Sequence, residues 1–293
     1  MDKSVIHQEV SEVTCTEYSW KTSDNVNMHA QCWKSNLPPR AVLILAHGFG
    51  DHVNRYDRWA TKFAEKGYDI ISMDMRGHGK SEGKRGYAPS YQQIINDYDL
   101  LVQNAKELYP DIPRILYGHS FGGNVVVNYC TSNQQGLSGI IVTSPWLSLE
   151  FNPSRIKYIT GNLLRYILPG MTLNTGLKSE DISRDQNEVH KYATDPLVHE
   201  KISLKLYFEI VAAGEKASKS IYKINVPILV MHGSGDRITS FNSTRDFVMN
   251  ASSRTTFKEW PGYYHELHND IGSEEVFQYM LNWLNNTIKN NPR

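Results

Sequence analysis

Apolar runs of strand length recur along the chain, and helical stretches separate them. Ala41-Val42-Leu43-Ile44-Leu45-Ala46, Asp69-Ile70-Ile71-Ser72-Met73, Arg114-Ile115-Leu116-Tyr117, Gly139-Ile140-Ile141-Val142-Thr143 and Pro227-Ile228-Leu229-Val230-Met231 are such runs, and Thr255-Thr256-Phe257-Lys258-Glu259-Trp260 reads as a further strand. Strands that are apolar throughout are buried on both faces, and strand–helix–strand order requires crossovers. The rhythm therefore predicts an α/β fold with a mostly parallel central sheet flanked by helices. A helix around Trp59 and Phe63 is expected to stop at Gly67. Ser90 is placed to cap another, whose Tyr91, Ile94, Ile95, Tyr98, Leu101, Val102 and Leu108 keep three-and-four spacing, a core stripe and not a cofactor site. Val26, Met28, Ala30 and Cys32 alternate with polar residues or Trp33, as in an antiparallel edge strand.

The rhythm pauses between about Trp146 and Tyr222, where the sequence turns helical and irregular and Pro153, Pro169 and Pro196 act as breakers. Insertions at the carboxyl ends of parallel strands lie over the functional edge of an open sheet. Residues 146–222 are therefore expected to form a helical cap, and residues 1–145 with 223–293 the core domain. Within the cap, Leu163-Leu164-Arg165-Tyr166-Ile167-Leu168-Pro169-Gly170-Met171 is apolar enough to line a greasy pocket, to rest on a membrane surface, or to pack on the core.

Composition removes several function classes. Thirty-one basic and 31 acidic side chains cancel, so no general electrostatic attraction to nucleic acid exists. Three cysteines, Cys15, Cys32 and Cys130, are too few for a disulfide framework; each adjoins an apolar run, so buried free thiols and a reducing, cytoplasmic compartment are expected. Residues 1–9 lack an apolar signal core, and no 18 consecutive residues are apolar, so neither a signal peptide nor a membrane span is indicated. Peripheral membrane contact through the cap stays open.

The chemistry is concentrated after the strands. Gly118-His119-Ser120-Phe121-Gly122 follows the run 114–117 directly and precedes a helix expected from about Gly123. A serine hydroxyl is a poor nucleophile unless it is held exposed beside a base, and a strand-to-helix bend that achieves this needs glycines where Cβ atoms would collide. Asp236, in His232-Gly233-Ser234-Gly235-Asp236-Arg237, follows the strand at 227–231. His265, in Pro261-Gly262-Tyr263-Tyr264-His265-Glu266-Leu267-His268, follows the last. Taken singly, the aspartate reads equally as a turn or cap residue and the histidine as a solvated loop side chain. Together, Ser120, Asp236 and His265 form a nucleophile–acid–base set, each member after its own strand. The backbone N–H groups of Phe49, in His47-Gly48-Phe49-Gly50, and of Phe121 are the natural pair for an oxyanion hole. His47, His78 and His119 read as buried hydrogen-bonding residues. His265 and His268 are three apart, but His265 belongs to the triad, so no metal and no cofactor is implied.

His47-Gly48-Phe49-Gly50-Asp51-His52, Asp74-Met75-Arg76-Gly77-His78-Gly79-Lys80-Ser81-Glu82-Gly83, Gly118-His119-Ser120-Phe121-Gly122-Gly123, Thr143-Ser144-Pro145 and His232-Gly233-Ser234-Gly235-Asp236 resemble the monoacylglycerol lipase and lysophospholipase group of α/β-hydrolases over nearly the whole chain. Asp195-Pro196-Leu197, late in the cap, is similar to a segment of that group too. The resemblance implies an α/β-hydrolase fold, a Ser120–Asp236–His265 triad, and a lid over a channel for an acyl chain, with a small polar pocket for the alcohol. Asp51 stands where many of these lipases carry glutamate, and His268 where they carry a second histidine, so both are implied to bind substrate. Thr239 and Ser240 stand where the mammalian lipases have a cysteine. The expected reaction is ester hydrolysis of a monoacylglycerol or similar single-chain lipid, through an acyl-enzyme and with release of a fatty acid. The alternatives are a lysophospholipase, a broad carboxylesterase, an aminopeptidase, or a hydrolase-fold protein that binds without turnover. Ser120 argues against the dehalogenases and epoxide hydrolases of similar fold, which use aspartate. Oligomeric state is not legible.

Overall fold

Eight strands form one twisted sheet in the computed structural model, which describes residues 12–151 and 154–290. Residues 1–9 and Pro153, on which two of the expectations above rest, lie outside the described residues. The strands are β1 (Val13–Lys21), β2 (Asn27–Ser35), β3 (Ala41–Ala46), β4 (Tyr68–Met73), β5 (Arg114–His119), β6 (Leu137–Thr143), β9 (Ile228–Gly233) and β10 (Thr255–Trp260), in spatial order β1-β2-β4-β3-β5-β6-β9-β10. A separate antiparallel pair joins β7 (Thr172–Asn174) to β8 (Lys201–Ser203). From β4 to β10 all neighbours are parallel, whereas β2 runs antiparallel to both β1 and β4.

β3 shows why the sheet is central. Its Val42, Ile44 and Ala46 enter one apolar cluster and its Ala41, Leu43 and Leu45 another on the opposite face. The first cluster takes residues from α2 (Tyr91–Leu108), α3 (Phe121–Cys130), α6 (Leu204–Ser218) and α7 (Phe241–Met249); the second from α1 (Asp57–Ala64) and α8 (Ser273–Asn290). Each aliphatic side chain buried in this way contributes about 1.5–3 kcal/mol. Helix α3 lies closest to the sheet, and all ten of its residues are buried. The remaining helices, α4 (Arg155–Ile167) and α5 (Gln186–Thr194), lie in the segment expected to be the cap. Helix α6 ends that segment, yet it packs on α3 and its Leu206, Ile210 and Ala217 join the main core.

Four local expectations need correction. β2 is not an edge strand, because β1 covers it. β1 gives little sequence signal because it is the sheet's margin, exposed along much of both faces, and its inward Val13, Tyr18 and Trp20 do not keep one alternating register. Cys15 lies on β1 and is exposed, unlike the buried Cys32 and Cys130; all three are free thiols. Leu108, the last residue of α2, is also exposed. Finally, α3 begins at Phe121, two residues before Gly123. Among the described residues, no helix is long and apolar enough to cross a membrane.

Candidate active site

Parallel strands all point their carboxyl ends one way, so the loops after β3, β5, β6, β9 and β10 converge on one edge. β3 has β4 on one side and β5 on the other, and the chain order reverses there, leaving a crevice at the sheet's carboxyl edge. Over that crevice is a cavity of about 660 Å³, lined by Ser120 and His265 and, from the 146–222 segment, by Phe151, Leu164, Leu173 and Phe208 among others.

The strand-to-helix bend at Ser120 is backbone-strained. Ser120 has φ 54° and ψ −116°, a left-handed conformation that non-glycine residues rarely hold. Its neighbours explain how it persists: a Cβ on Gly118 would stand 2.4 Å from the Gly122 carbonyl oxygen, and one on Gly122 would stand 2.0 Å from that of Ala46. Ser120 N–H donates to the Thr143 carbonyl at 2.9 Å, and the Ser120 carbonyl accepts from Asn124 and Trp146. Strand β6 and the first turn of α3 thus clamp the bend from both sides.

The structure brings Ser120, His265 and Asp236 into one hydrogen-bonded line. His265 Nε2 is 2.9 Å from Ser120 Oγ, and His265 Nδ1 is 2.7 Å from Asp236 Oδ2. Burial disfavours charge on His265, but the Asp236 carboxylate outweighs it and raises the imidazole above its ordinary value. Burial also opposes ionisation of Asp236, and the facing His265 and His232 more than compensate, holding its carboxyl well below the usual carboxylate range. The carboxylate further accepts the backbone N–H groups of Ile238 and Thr239 at 2.8 and 3.0 Å, and Thr239 Oγ1 lies 2.8 Å from Oδ2.

Phe49 and Phe121, the residue after Ser120, have ring centroids 5.6 Å apart. Neither backbone N–H donates to an acceptor among the described residues. Phe121 opens α3, so its N–H belongs to the unpaired first turn, where helix geometry favours negative charge. His47 Nδ1 is 2.7 Å from the Gly48 carbonyl, and His47 Nε2 accepts from Met75 N–H at 2.9 Å, which fixes a neutral tautomer and the shape of the Phe49 loop. Burial likewise keeps His119 and His78 neutral.

The two residues implied as binders separate. Asp51 lines the cavity and leaves its Oδ2 buried without a hydrogen-bond partner. His268 does not line it: the ring is buried, stacked on Tyr56 at 4.7 Å and lying behind His119. Aromatic packing against Tyr56 and His119 holds His268 in the core, outside the cavity lining.

Several contributors were not legible in sequence. His232 shares Asp236, with Nε2 3.0 Å from Oδ2, and its Nδ1 is 2.8 Å from Thr244 Oγ1. Ser144, also at positive φ, donates through Oγ to the His265 carbonyl. Arg55 and Glu266 form a buried ion pair beside the cavity. His52 Nε2 lies 2.9 Å from Asp195 Oδ2, and His199 N–H donates to the Gly50 carbonyl, so the 146–222 segment is tied to the Phe49 loop. Only His232, directly after the apolar run 228–231 and four residues before Asp236, carried a signal that spacing can reveal.

Comparison with known proteins is consistent along the chain. Residues 37–272 match the family described as Serine aminopeptidase, S33. An uncharacterized abhydrolase domain-containing protein of Dictyostelium discoideum is 34% identical over 272 residues; the match covers 92% of this chain but 29% of that longer protein. A monoacylglycerol lipase of Mycolicibacterium smegmatis is 29% identical, with 92% and 97% of the two chains covered. Among solved structures, the Paleococcus ferrophilus monoacylglycerol lipase superposes with a TM-score of 0.79 at 28% identity, covering 94% and 99%.

Proposed function

The chain belongs to the Serine aminopeptidase, S33, family of α/β-hydrolases, and from that premise we propose that it cleaves the ester bond of monoacylglycerols or similar single-chain lipid esters through an acyl-enzyme. The observation that carries this reading is the unbroken line Ser120 Oγ, His265, Asp236 at the floor of a large, mainly apolar cavity. Ser120 attacks the ester carbonyl carbon while His265 Nε2 takes the hydroxyl proton. Asp236 holds the Nδ1–H tautomer and stabilises the imidazolium that forms. The N–H groups of Phe49 and Phe121 receive the oxyanion, a contribution of about 3–4 kcal/mol per donor in comparable sites. His265 then returns the proton to the departing alcohol, and water, activated by the same imidazole, releases the fatty acid.

Residues 146–222 act as the cap and residues 1–145 with 223–293 as the hydrolase core. The cap supplies apolar walls for an acyl chain. It also supports peripheral contact with a lipid surface, since α4 exposes Ile156, Ile159, Leu163, Tyr166 and Ile167 at three-and-four spacing while Arg155, Lys157 and Arg165 share the helix. Free thiols at all three cysteines fit a cytoplasmic setting.

The test is fatty-acid release from monoacylglycerols, lysophosphatidylcholines and p-nitrophenyl esters by the wild type and by Ser120→Ala, with fluorophosphonate labelling alongside. Turnover and labelling by the wild type, both lost in the variant, are expected. A wild type that neither turns over an ester nor takes the label would overturn the reading, and a tenfold preference for lysophospholipid would move it to that rival.

A further inference from the structure

The cavity has a polar end that the triad does not use. Asp51, in the loop after β3, and Glu266, the residue after His265, both line it, whereas the Arg55 between them does not. Arg55 Nη1 lies 3.0 Å from Asp51 Oδ1 and 2.7 Å from Glu266 Oε1, and Nη2 lies 2.6 Å from Glu266 Oε2. The guanidinium also sits over the Tyr192 ring, 4.7 Å from its centroid. Its rigid fork of donors is therefore turned towards two carboxylates and an aromatic face. The three charged side chains are 4–7% exposed.

Two carboxylates and one guanidinium leave one net negative charge at this end. The other cations are directed elsewhere. Arg58 is half exposed and reaches Glu188, and Lys157, the one cation among the cavity-lining residues, is carried by α4, which packs on α6. Asp51 Oδ2 is the unused acceptor, buried and without a partner. A Cβ on Gly48 would stand 3.8 Å from that oxygen and 3.6 Å from Ser120 Cβ, so the acceptor and Ser120 both border the small space left at Gly48.

We infer that Glu266 is a specificity-determining residue: by occupying the Arg55 guanidinium it leaves the head-group end of the cavity with an open carboxylate acceptor and net negative charge, which admits uncharged, hydroxyl-bearing alcohols and rejects a phosphate. The inference rests on the ester-hydrolase reading above. A substrate hydroxyl would supply the missing donor to Asp51 Oδ2, and buried acceptors are costly to leave unpaired. A phosphate would meet a carboxylate in a poorly screened site, a built-in repulsion against that class. Without the Glu266 charge, Arg55 would keep only Asp51 and have donors free for an anion.

The experiment measures hydrolysis of 1-octanoylglycerol and of its 3-phosphate, both below their critical micelle concentrations, by the wild type and Glu266→Gln. p-Nitrophenyl butyrate serves as the reference without a polar head group. The wild type is expected to favour the neutral ester at least tenfold in kcat/KM, and Glu266→Gln to narrow that ratio at least tenfold through a lower KM for the phosphate ester. A wild type indifferent to the phosphate overturns the proposal. So does an unchanged ratio in a variant that still cleaves p-nitrophenyl butyrate. Should Glu266→Gln not fold, inhibition of wild-type p-nitrophenyl butyrate hydrolysis is read instead: inhibition by glycerol and not by glycerol 3-phosphate is expected, and equal or stronger inhibition by the phosphate overturns the proposal. A wild type inert towards p-nitrophenyl butyrate overturns the underlying reading, and this inference with it.

Discussion

Ser144 Oγ donates to the backbone carbonyl of His265 at 2.8 Å, joining the end of β6 to the loop after β10 across 121 residues of chain. Ser144 has φ 44°, and its N–H donates to the Met231 carbonyl in β9, so three adjacent strands hold the His265 backbone. Ser144→Ala leaves that buried carbonyl only the Leu267 N–H, at 3.2 Å. Stability is expected to fall by about 1 kcal/mol in urea unfolding, and kcat on p-nitrophenyl butyrate to fall more than KM changes, because the imidazole is less well placed.

In the proposed reaction His265 is a base only when neutral, and its folded-state value is raised above the ordinary 6.5. Raising it extends the protonated form to higher pH. The acid limb of kcat/KM against pH is therefore expected to have its midpoint above 6.5. Asp236→Asn removes the charge that raises it. That variant should move the midpoint downward while kcat falls by roughly 10⁴, as for other triads that lose this carboxylate. A midpoint unmoved by Asp236→Asn would contradict the assignment.

His268 is pushed the other way. Burial, helped by Arg55 and Arg58 and opposed by the Glu266 and Asp51 carboxylates, lowers it to about 4, and neither ring nitrogen has a hydrogen-bond partner. The unfolded chain takes up this proton near the ordinary value of 6.5, so between those two pH values the unfolded state binds more protons and stability rises with pH. At about 1.4 kcal/mol per unit, this one group accounts for a loss of about 3 kcal/mol on acidification through that window. His268→Phe, which keeps the stack on Tyr56, is expected to flatten the pH dependence of the urea midpoint there.

The exposed face of α4 gives a separate expectation. Ile159→Glu with Leu163→Glu should lower activity on monoacylglycerol presented in vesicles several-fold and leave hydrolysis of soluble p-nitrophenyl butyrate nearly unchanged. Both side chains are about two-thirds exposed at 67% and 66%, so the substitutions cost little folding energy. Equal loss on both substrates would place these residues in cap packing and not at a lipid surface.

The apolar runs of β3, β4, β5, β6 and β9 were legible because strands buried on both faces are mainly apolar, and the bend at Gly118 and Gly122 was legible because no other residue fits there. β1 was not, since an exposed edge strand is under no such constraint. Ser120, Asp236 and His265 could be picked out one by one because each follows its own strand, and parallel strands put such positions on one edge. Distance between them is another matter. That His265 reaches Ser120, that Ser144 holds the His265 carbonyl, that His268 turns into the core, and that Arg55 stands between Asp51 and Glu266 all depend on side chains from loops far apart in sequence. Local propensity and spacing act within a few residues and therefore determine the elements and their order; pairing among buried charges is decided only when the loops close over one another and each group must find its partner out of water.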